Sequence, residues 1–136
     1  MDHVRRSFNS QGFMRSLGAV LESVEMGSVT IACAVDGRWT QQHGLFHGGV
    51  VASLADVACG YAALSTMSPD MEVLTTQFTI NFLKPAKADR IVAVGKVLHA
   101  GRTLTVCEGS VLDGSRTRLL ARMTATMIAI SATREV

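Results

Sequence analysis

Residues 48–69 read GGVVASLADVACGYAALSTMSP, and this stretch decides the fold. It is much longer than a strand, which usually spans about four to eight residues, and alanine is its commonest residue, so it predicts a long helix. The helix is apolar on nearly every side, which means that other parts of the chain must cover most of it. Asp56 in its interior argues against a membrane span, because a central Asp costs about 2.5–3.5 kcal/mol on insertion scales.

The segments on both sides of this helix carry the patterns of strands. Before it, residues 19–25 and 28–35 predict two strands joined by a tight turn at Met26-Gly27. After it come four more predicted strands, arranged as an antiparallel meander and separated by turn residues: 72–83, 90–99, 102–112 and 118–130. One covered helix among these strands requires a sheet that curves around it, so we expect an α+β fold.

Length, charge and cysteine content narrow the class of protein. The 136 residues favour one domain over residues 1–136, and a formal net charge of +2 is too small to suggest nucleic-acid binding. The three cysteines form no C-x-x-C pair, so they indicate neither a disulfide framework nor a zinc site, and a reduced, cytoplasmic setting fits them. The first residues lack the apolar segment of a signal peptide, and residues 4–17 predict a short amphipathic helix that Gly12 weakens.

Two glycines, Gly48 and Gly49, open the long helix. Because they have no side chains, a ligand can approach the free N–H groups of the first helical turn. These N–H groups favour negative charge, including the oxyanion that develops during acyl transfer. The alternative interpretation, that the glycines only form a tight strand-to-helix corner, remains open on these residues alone.

Asp56 is the only charged residue between Arg38 and Asp70. A carboxylate in a buried helix costs several kcal/mol unless it is hydrogen-bonded or has a function. The functional hypothesis is a nucleophile or general base acting on a carbonyl substrate. The structural alternative is a carboxylate that pairs with a neighbouring subunit or with a backbone group.

Three other chemistries are disfavoured by the residues around Asp56. His43 and His47 are four positions apart, but Gly44 lies between them and no H-E-x-x-H pattern exists, so a metal site is not expected. Ser53 lacks the G-x-S-x-G elbow of a serine hydrolase. Cys59 lies one helical turn after Asp56 and is interpreted as a packing residue.

The block His47-Gly48-Gly49, with an Asp nine positions after the histidine, resembles the signature of PaaI-like hotdog thioesterases. FLKPA at residues 82–86 resembles the family's end of the strand after the helix, and HAGRT at residues 99–103 resembles a later turn. The resemblance implies a hotdog fold, an antiparallel sheet wrapped around one long central helix. It also implies hydrolysis of an acyl-CoA to an acid and free CoA, with no metal or redox cofactor, by a homodimer or homotetramer.

The resemblance also implies roles for individual residues. Asp56 corresponds to the base or nucleophile, and the Gly48 N–H corresponds to the group that polarises the thioester carbonyl. His47 would position that turn. Gln41 stands where the family often has an Asn that contacts the carbonyl or the water, and Thr75 best matches the residue that holds the water.

A second set of residues is expected to bind the substrate. Lys84, Arg102 and Arg90 are candidates for the CoA phosphates because they are basic and lie near strand ends, although each also fits a solvated rim charge. The other members of the set are Gly49, Thr76 and Thr103. The residues do not predict which acyl group is bound, and neither a membrane nor a nucleic acid is expected as a partner.

Two further functions remain compatible with the same scaffold. One is a dehydratase or hydratase, and the other is an acyl-CoA-binding protein that has lost the chemistry. Helix geometry adds a prediction about the active site itself. Gly48 and Asp56 lie roughly 12 Å apart along one helix, too far for a single carbonyl to reach both, so we expect a site shared between two subunits.

Overall fold

One six-stranded antiparallel sheet curves around a long helix in the computed structural model of the chain, which describes residues 1–133. The strands are β1 (Val20–Glu25), β2 (Ser28–Ala34), β3 (Met71–Phe82), β4 (Arg90–Ala100), β5 (Leu104–Asp113) and β6 (Leu119–Ser131). The helices are α1 (Asp2–Ser10), α2 (Gly12–Leu17) and α3 (Gly48–Leu64), and a short 3-10 helix spans Gly37–Trp39. The α+β class expected from the sequence is confirmed.

The order of the strands across the sheet is β1-β2-β4-β5-β6-β3. β4, β5 and β6 form the expected meander, but β3 pairs with β6 at the far edge rather than with β4. The predicted four-strand meander in chain order is therefore wrong for β3. The physical reason is that α3 crosses the concave face of the sheet and delivers the chain to the edge opposite β1, which the pattern within a strand cannot reveal.

The long helix ends at Leu64, earlier than the apolar stretch suggests. Two hydroxyl groups satisfy carbonyl groups of its last turn: Ser65 Oγ donates to Ala62 O at 2.6 Å, and Thr66 Oγ1 donates to Ala63 O at 2.7 Å. The Ser65 hydroxyl also accepts the N–H of Gly27 at 2.8 Å. The end of α3 is thus tied to the turn between β1 and β2.

The helix meets the sheet most closely at Gly95 of β4. A Cβ atom on that residue would lie 2.3 Å from the backbone of Ala58, so any side chain there would need helix and sheet to move apart. Leu54, Ala55 and Cys59 fill the neighbouring layer and are almost fully buried. The small residues of α3 therefore allow the close packing that fixes the position of the helix on the sheet.

The two N-terminal helices cover a side of α3 that the sheet leaves open. Val4 and Phe8 of α1 are buried, and the ring of Phe8 meets the ring of Tyr61 edge-on, with their centroids 5.9 Å apart. The sequence predicts one weak helix over residues 4–17, whereas the structure has two, separated at Gln11, whose backbone is extended (φ −76°, ψ 110°). Buried apolar contacts thus hold this segment against α3.

The cysteines lie in the core of the described part of the chain. Cys33, Cys59 and Cys107 are buried and free, which confirms their interpretation as small packing residues. Burial raises the pKa of the Cys107 thiol to about 11. Within residues 1–133, no helix is both long enough and apolar enough to cross a membrane. A cytoplasmic location stays a prediction.

Candidate active site

The start of α3 is capped by the side chain of His47. Its Nδ1 accepts the N–H of Gly49 at 2.8 Å, and its own backbone N–H donates to Trp39 O at 2.9 Å. Because Nδ1 accepts, the neutral ring carries its proton on Nε2. The Gly49 N–H is therefore used by the cap, whereas the Gly48 N–H has no acceptor within residues 1–133. This is the geometry that an oxyanion donor at Gly48, positioned by His47, requires.

A cavity of about 190 Å³ lies at this end of the helix, and Gln41, Gly48, Phe82 and Lys84 are among its lining residues. A Cβ on Gly48 would lie 3.4 Å from Phe82 Cζ, so the ring closes over the glycine. The Gln41 Oε1 accepts the N–H groups of His43 at 2.5 Å and Leu45 at 3.2 Å. Its amide nitrogen has no acceptor in the described part of the chain and remains free to donate to a ligand.

Asp56 lies in the middle of α3, beside the edge strand β3. Thr75 Oγ1 donates to Asp56 Oδ1 at 2.7 Å, just before a bulge that separates Thr75 from Gln77 in the pairing of β3 with β6. Burial raises the pKa of Asp56 above its ordinary value, and the weaker effect of the Thr75 hydrogen bond lowers it. A half-buried carboxylate with a raised pKa is a stronger base than one in water.

A second cavity, of about 160 Å³, has both Asp56 and Thr75 in its wall. Gly48 is absent from its lining, and Asp56 is absent from the lining of the first cavity. The separation agrees with the distance of roughly 12 Å between the two residues along the helix. Within one subunit, the carboxylate and the free N–H thus face different spaces.

The remaining candidate residues are distributed along the sheet. The Thr76 hydroxyl donates to Thr126 O at 3.1 Å, within the pairing of β3 and β6. Lys84 lies near the start of β6, where its N–H donates to Leu120 O at 3.1 Å, and it shares the cavity of Gly48. Arg90 pairs with Glu22 at 2.8 Å, away from both cavities that adjoin α3.

Arg102 and Thr103 lie in the exposed turn between β4 and β5. Thr103 O accepts the N–H of Ala129 at 2.8 Å, near the end of β6. Lys84 lies near the start of that strand, so one subunit holds Lys84 and Arg102 at opposite ends of the sheet. The structure does not bring the three basic candidates together within a single subunit.

Sequence reasoning missed the far wall of the Asp56 cavity. Its polar members are Ser7, Gln11, Tyr61 and Glu72. One signal was available, since Tyr61 is the only tyrosine of the chain and follows Asp56 on the same helix. The contacts of Tyr61 with α1 and Gln11 were not visible in the sequence, because they join residues 50 and 54 positions apart.

The alternative chemistries find little support in the described residues. Within residues 1–133, no three His, Cys, Asp or Glu side chains form a group that could hold a metal ion. Ser53 Oγ donates to Gly49 O at 2.6 Å inside the helix. Burial, and to a lesser degree the charges of Cys107 and Asp56, raise the pKa of Cys59 far above its ordinary value, which disfavours a reactive thiolate.

Comparison with known sequences gives the family. The family model described as "Thioesterase superfamily" matches residues 43–120, more than half of the chain. A 1,4-dihydroxy-2-naphthoyl-CoA hydrolase from Listeria monocytogenes is 28% identical over 102 residues, covering 75% of this chain and 83% of that protein. A relative from Saccharolobus solfataricus is 34% identical over 86 residues, covering 63% of this chain and 61% of its own length, so the match spans less than two thirds of that protein.

Solved structures agree with this assignment. A thioesterase family protein from Silicibacter pomeroyi is 40% identical, with a TM-score of 0.91, and the match covers 95% of this chain and 96% of that one. The PaaI protein of Escherichia coli has a TM-score of 0.87 at 23% identity, covering 96% and 92% of the two chains, and at that identity it shows the fold alone. The chain therefore belongs to the thioesterase superfamily and has the hotdog fold that its resemblance implied.

Proposed function

We propose that this thioesterase hydrolyses an acyl-CoA to a carboxylic acid and free CoA, with Asp56 as its catalytic carboxylate. The observation that carries the proposal is Asp56 itself, a half-buried carboxylate whose pKa is raised by burial and which opens into a cavity. Structural carboxylates in this chain behave differently: backbone and side-chain donors surround Asp113 and hold its pKa well below the ordinary value. The name of the Listeria relative, a CoA-thioester hydrolase, supports CoA as the thiol.

The chemistry has two compatible forms. As a general base, Asp56 takes a proton from water while the water oxygen attacks the thioester carbonyl carbon. As a nucleophile, its own oxygen attacks that carbon and forms an anhydride, which water then hydrolyses. In both forms the C–S bond breaks and the CoA thiolate leaves and takes up a proton.

The Gly48 N–H is proposed as the donor to the carbonyl oxygen. It lies at the positive end of α3, where the helix dipole favours the developing negative charge. The free amide nitrogen of Gln41 borders the same cavity and is suited to hold the water or the carbonyl. His47 fixes the turn through its contact with the Gly49 N–H.

One carbonyl cannot reach both Asp56 and Gly48 of the same helix, so the proposed site is shared between two subunits. The outer edge of β3 is open for such an assembly, and Leu74, Phe78 and Phe82 of that strand are exposed apolar residues. Antiparallel pairing of two β3 edges about a twofold axis would bring Gly48 of one subunit toward the partner's Asp56. It would also carry Lys84 and the partner's Arg102 to the same end of the joined sheet, where both are candidates for the CoA phosphates.

Release of free thiol from a short panel of aliphatic and aromatic acyl-CoAs tests the proposal. We expect the purified protein to release CoA in the absence of added metal, with the Asp56→Asn variant as the inactive control. Binding of acyl-CoA without thiol release above that control would contradict hydrolysis and indicate a binding protein. Release without any detectable dimer would retain hydrolysis and contradict the shared site.

A further inference from the structure

The cavity beside Asp56 is closed on one side by the N-terminal helices. Ser7 of α1 and Gln11, between α1 and α2, form that wall, and α3 and β3 form the others. Asp56 and Thr75 lie at one end. Tyr61 lies five positions further along α3, or roughly 7.5 Å along the helix axis, at the other end. A group attached to a carbonyl at Asp56 would extend toward Tyr61.

The far end of this cavity is polar. The Tyr61 hydroxyl accepts a hydrogen bond from Gln11 Nε2 at 3.0 Å and lies 3.1 Å from Ser7 Oγ. The carbonyl oxygen of the Gln11 side chain and the carboxylate of Glu72 have no side-chain partner within residues 1–133. What this end offers to a ligand is therefore mainly hydrogen-bond acceptors.

The charged residues that line this cavity are all acidic. Asp56 and Glu72 are both acidic, and the residues that line it include no Lys, Arg or His. Burial raises the pKa of the Tyr61 hydroxyl, and the negative charge of Glu72 adds to this effect, while the hydrogen bonds that Tyr61 shares with Ser7 and Gln11 oppose it. A second carboxylate brought into this space would meet like charges and find no cation.

Within one subunit, the volume of the cavity sets the scale of the group that it can hold. Its volume is about 160 Å³. An engineered protein cavity of about 150 Å³ accepts benzene, so this one suits a single ring or a chain of about six carbons.

We propose that this cavity holds the acyl group and selects compact acyl groups whose far end is an uncharged hydrogen-bond donor, such as a hydroxyl. It accepts plain alkyl groups less well and rejects acyl groups that end in a carboxylate. The inference rests on the proposed hydrolysis at Asp56 and adds the substrate class. Gln11 and Glu72 are its specificity-determining residues, and neither takes part in the chemical step.

Three thioesters of equal carbon number test this selectivity: the CoA esters of hexanoic, 6-hydroxyhexanoic and hexanedioic acid. For the wild-type protein we expect kcat/KM for the hydroxylated ester to exceed that for the plain ester by about tenfold, the order of one net hydrogen bond. The dicarboxylic ester should be slower than the plain ester by at least about a hundredfold, because its charge is desolvated beside two carboxylates. Similar kcat/KM values for all three esters would overturn the inference.

Two variants separate the contributions of charge and hydrogen bonding. Glu72→Gln should raise kcat/KM for the dicarboxylic ester relative to the plain ester by at least about tenfold. Gln11→Leu should remove the advantage of the hydroxylated ester over the plain one. Glu25→Gln is the matched control, because it removes the same charge from β1 at the other edge of the sheet and should leave every ratio as in the wild type.

The outcomes also distinguish this inference from the hydrolysis on which it rests. If no thioester is cleaved, the proposed function fails and the acyl selectivity fails with it. If the plain ester is cleaved but kcat/KM is similar for the three esters and neither variant changes this, the proposed hydrolysis is retained and the proposed selectivity is wrong. Even if one variant does not fold, the kcat/KM values of the wild-type protein for the three esters decide whether the proposed selectivity is correct.

Discussion

The two edges of the sheet differ in length and in charge. At one edge, β1 is six residues long and carries Glu22, which pairs with Arg90 at 2.8 Å and with Arg116 at 2.7 Å. At the other edge, β3 is twelve residues long and Glu72 is its only charged residue. Short, charged edges resist pairing with other chains, whereas long edges with few charges and exposed apolar side chains favour it.

The proposed catalytic carboxylate, Asp56 of α3, lies beside the open edge at β3. Thr75, the residue that holds Asp56, lies on β3, and exposed apolar side chains of that strand lie before and after it. The open edge and the proposed active site therefore adjoin each other, because a second subunit that paired with β3 would lie beside Asp56. The edge at β1 provides control variants for the first two of the tests that follow.

The largest expected effect is on catalysis at the β3 edge. Asp56→Asn should lower kcat/KM for an acyl-CoA by at least about a hundredfold, because the amide is neither a base nor a nucleophile at neutral pH. Glu22→Gln, at the β1 edge, should leave turnover near that of the wild type. Thiol release and circular dichroism on both variants check this, and near-normal turnover by folded Asp56→Asn would remove Asp56 from the mechanism.

The next effect concerns assembly. Leu74 and Phe78 are 43% and 41% exposed on β3, and a Lys at both positions places two charges on the edge that we expect to pair. The double variant should be monomeric by light scattering and lose at least about tenfold in activity, in proportion to the loss of dimer. Val20→Lys is the control on β1, where Val20 is 58% exposed. A fully active monomer would exclude a site shared between subunits.

A smaller and more specific effect comes from mixing two inactive variants. Asp56→Asn removes the carboxylate, and Gly48→Pro removes the N–H at the first helical position, where proline is tolerated. With random equal mixing, about half of the dimers combine one subunit of each kind, and each of these has one intact site, so about a quarter of wild-type activity should return. Co-expressed subunits that remain inactive while folded and dimeric would place the carbonyl donor elsewhere than at Gly48.

The smallest expected effect is a shift in the pH dependence of kcat/KM. The active form of Asp56 is the carboxylate, so activity should fall as the pH drops through its pKa, which burial raises. The Thr75 hydrogen bond lowers that pKa, and Thr75→Val should raise it and move the acidic limb of the kcat/KM profile to higher pH. Ser110→Ala, on the outer face of the sheet, provides a control whose profile should match the wild type. An acidic limb at the same pH in Thr75→Val would mean that another group controls it.

The sequence predicted most of the fold because its signals are local. Alternation and turn residues gave strand positions close to those observed, and the glycine pair marked the start of α3 at Gly48. The neighbour of β3 was not predictable in this way, since alternation tells which residues share a face but not which strand lies alongside. Likewise, the end of α3 depends on Ser65 and its bond to Gly27, 38 positions away.

The candidate site shows the same difference between residues with a local sequence signal and residues placed by long-range contacts. Asp56, Gly48 and His47 are found from a short motif in one stretch of chain, and the structure gives each of them a contact or exposure suited to its proposed role. Ser7, Gln11 and Glu72 reach the Asp56 cavity from distant segments, and nothing in their own neighbourhoods indicates a ligand. The candidate catalytic residues can therefore be identified from local sequence, whereas identifying the wall that would select the acyl group requires tertiary structure.

The contact between Gly95 and α3 limits how the substrate range of this protein can be altered. Since even a methyl group at that position would collide with the helix backbone, the spacing of the two layers cannot be adjusted to enlarge the interior. Room for a larger acyl group is better sought at side chains that line the Asp56 cavity, such as Val57 and Tyr61, because shortening them enlarges the cavity without moving the backbone. An engineer seeking a larger substrate should vary those lining residues and leave Gly95 unchanged, because there the backbone itself sets the distance between helix and sheet.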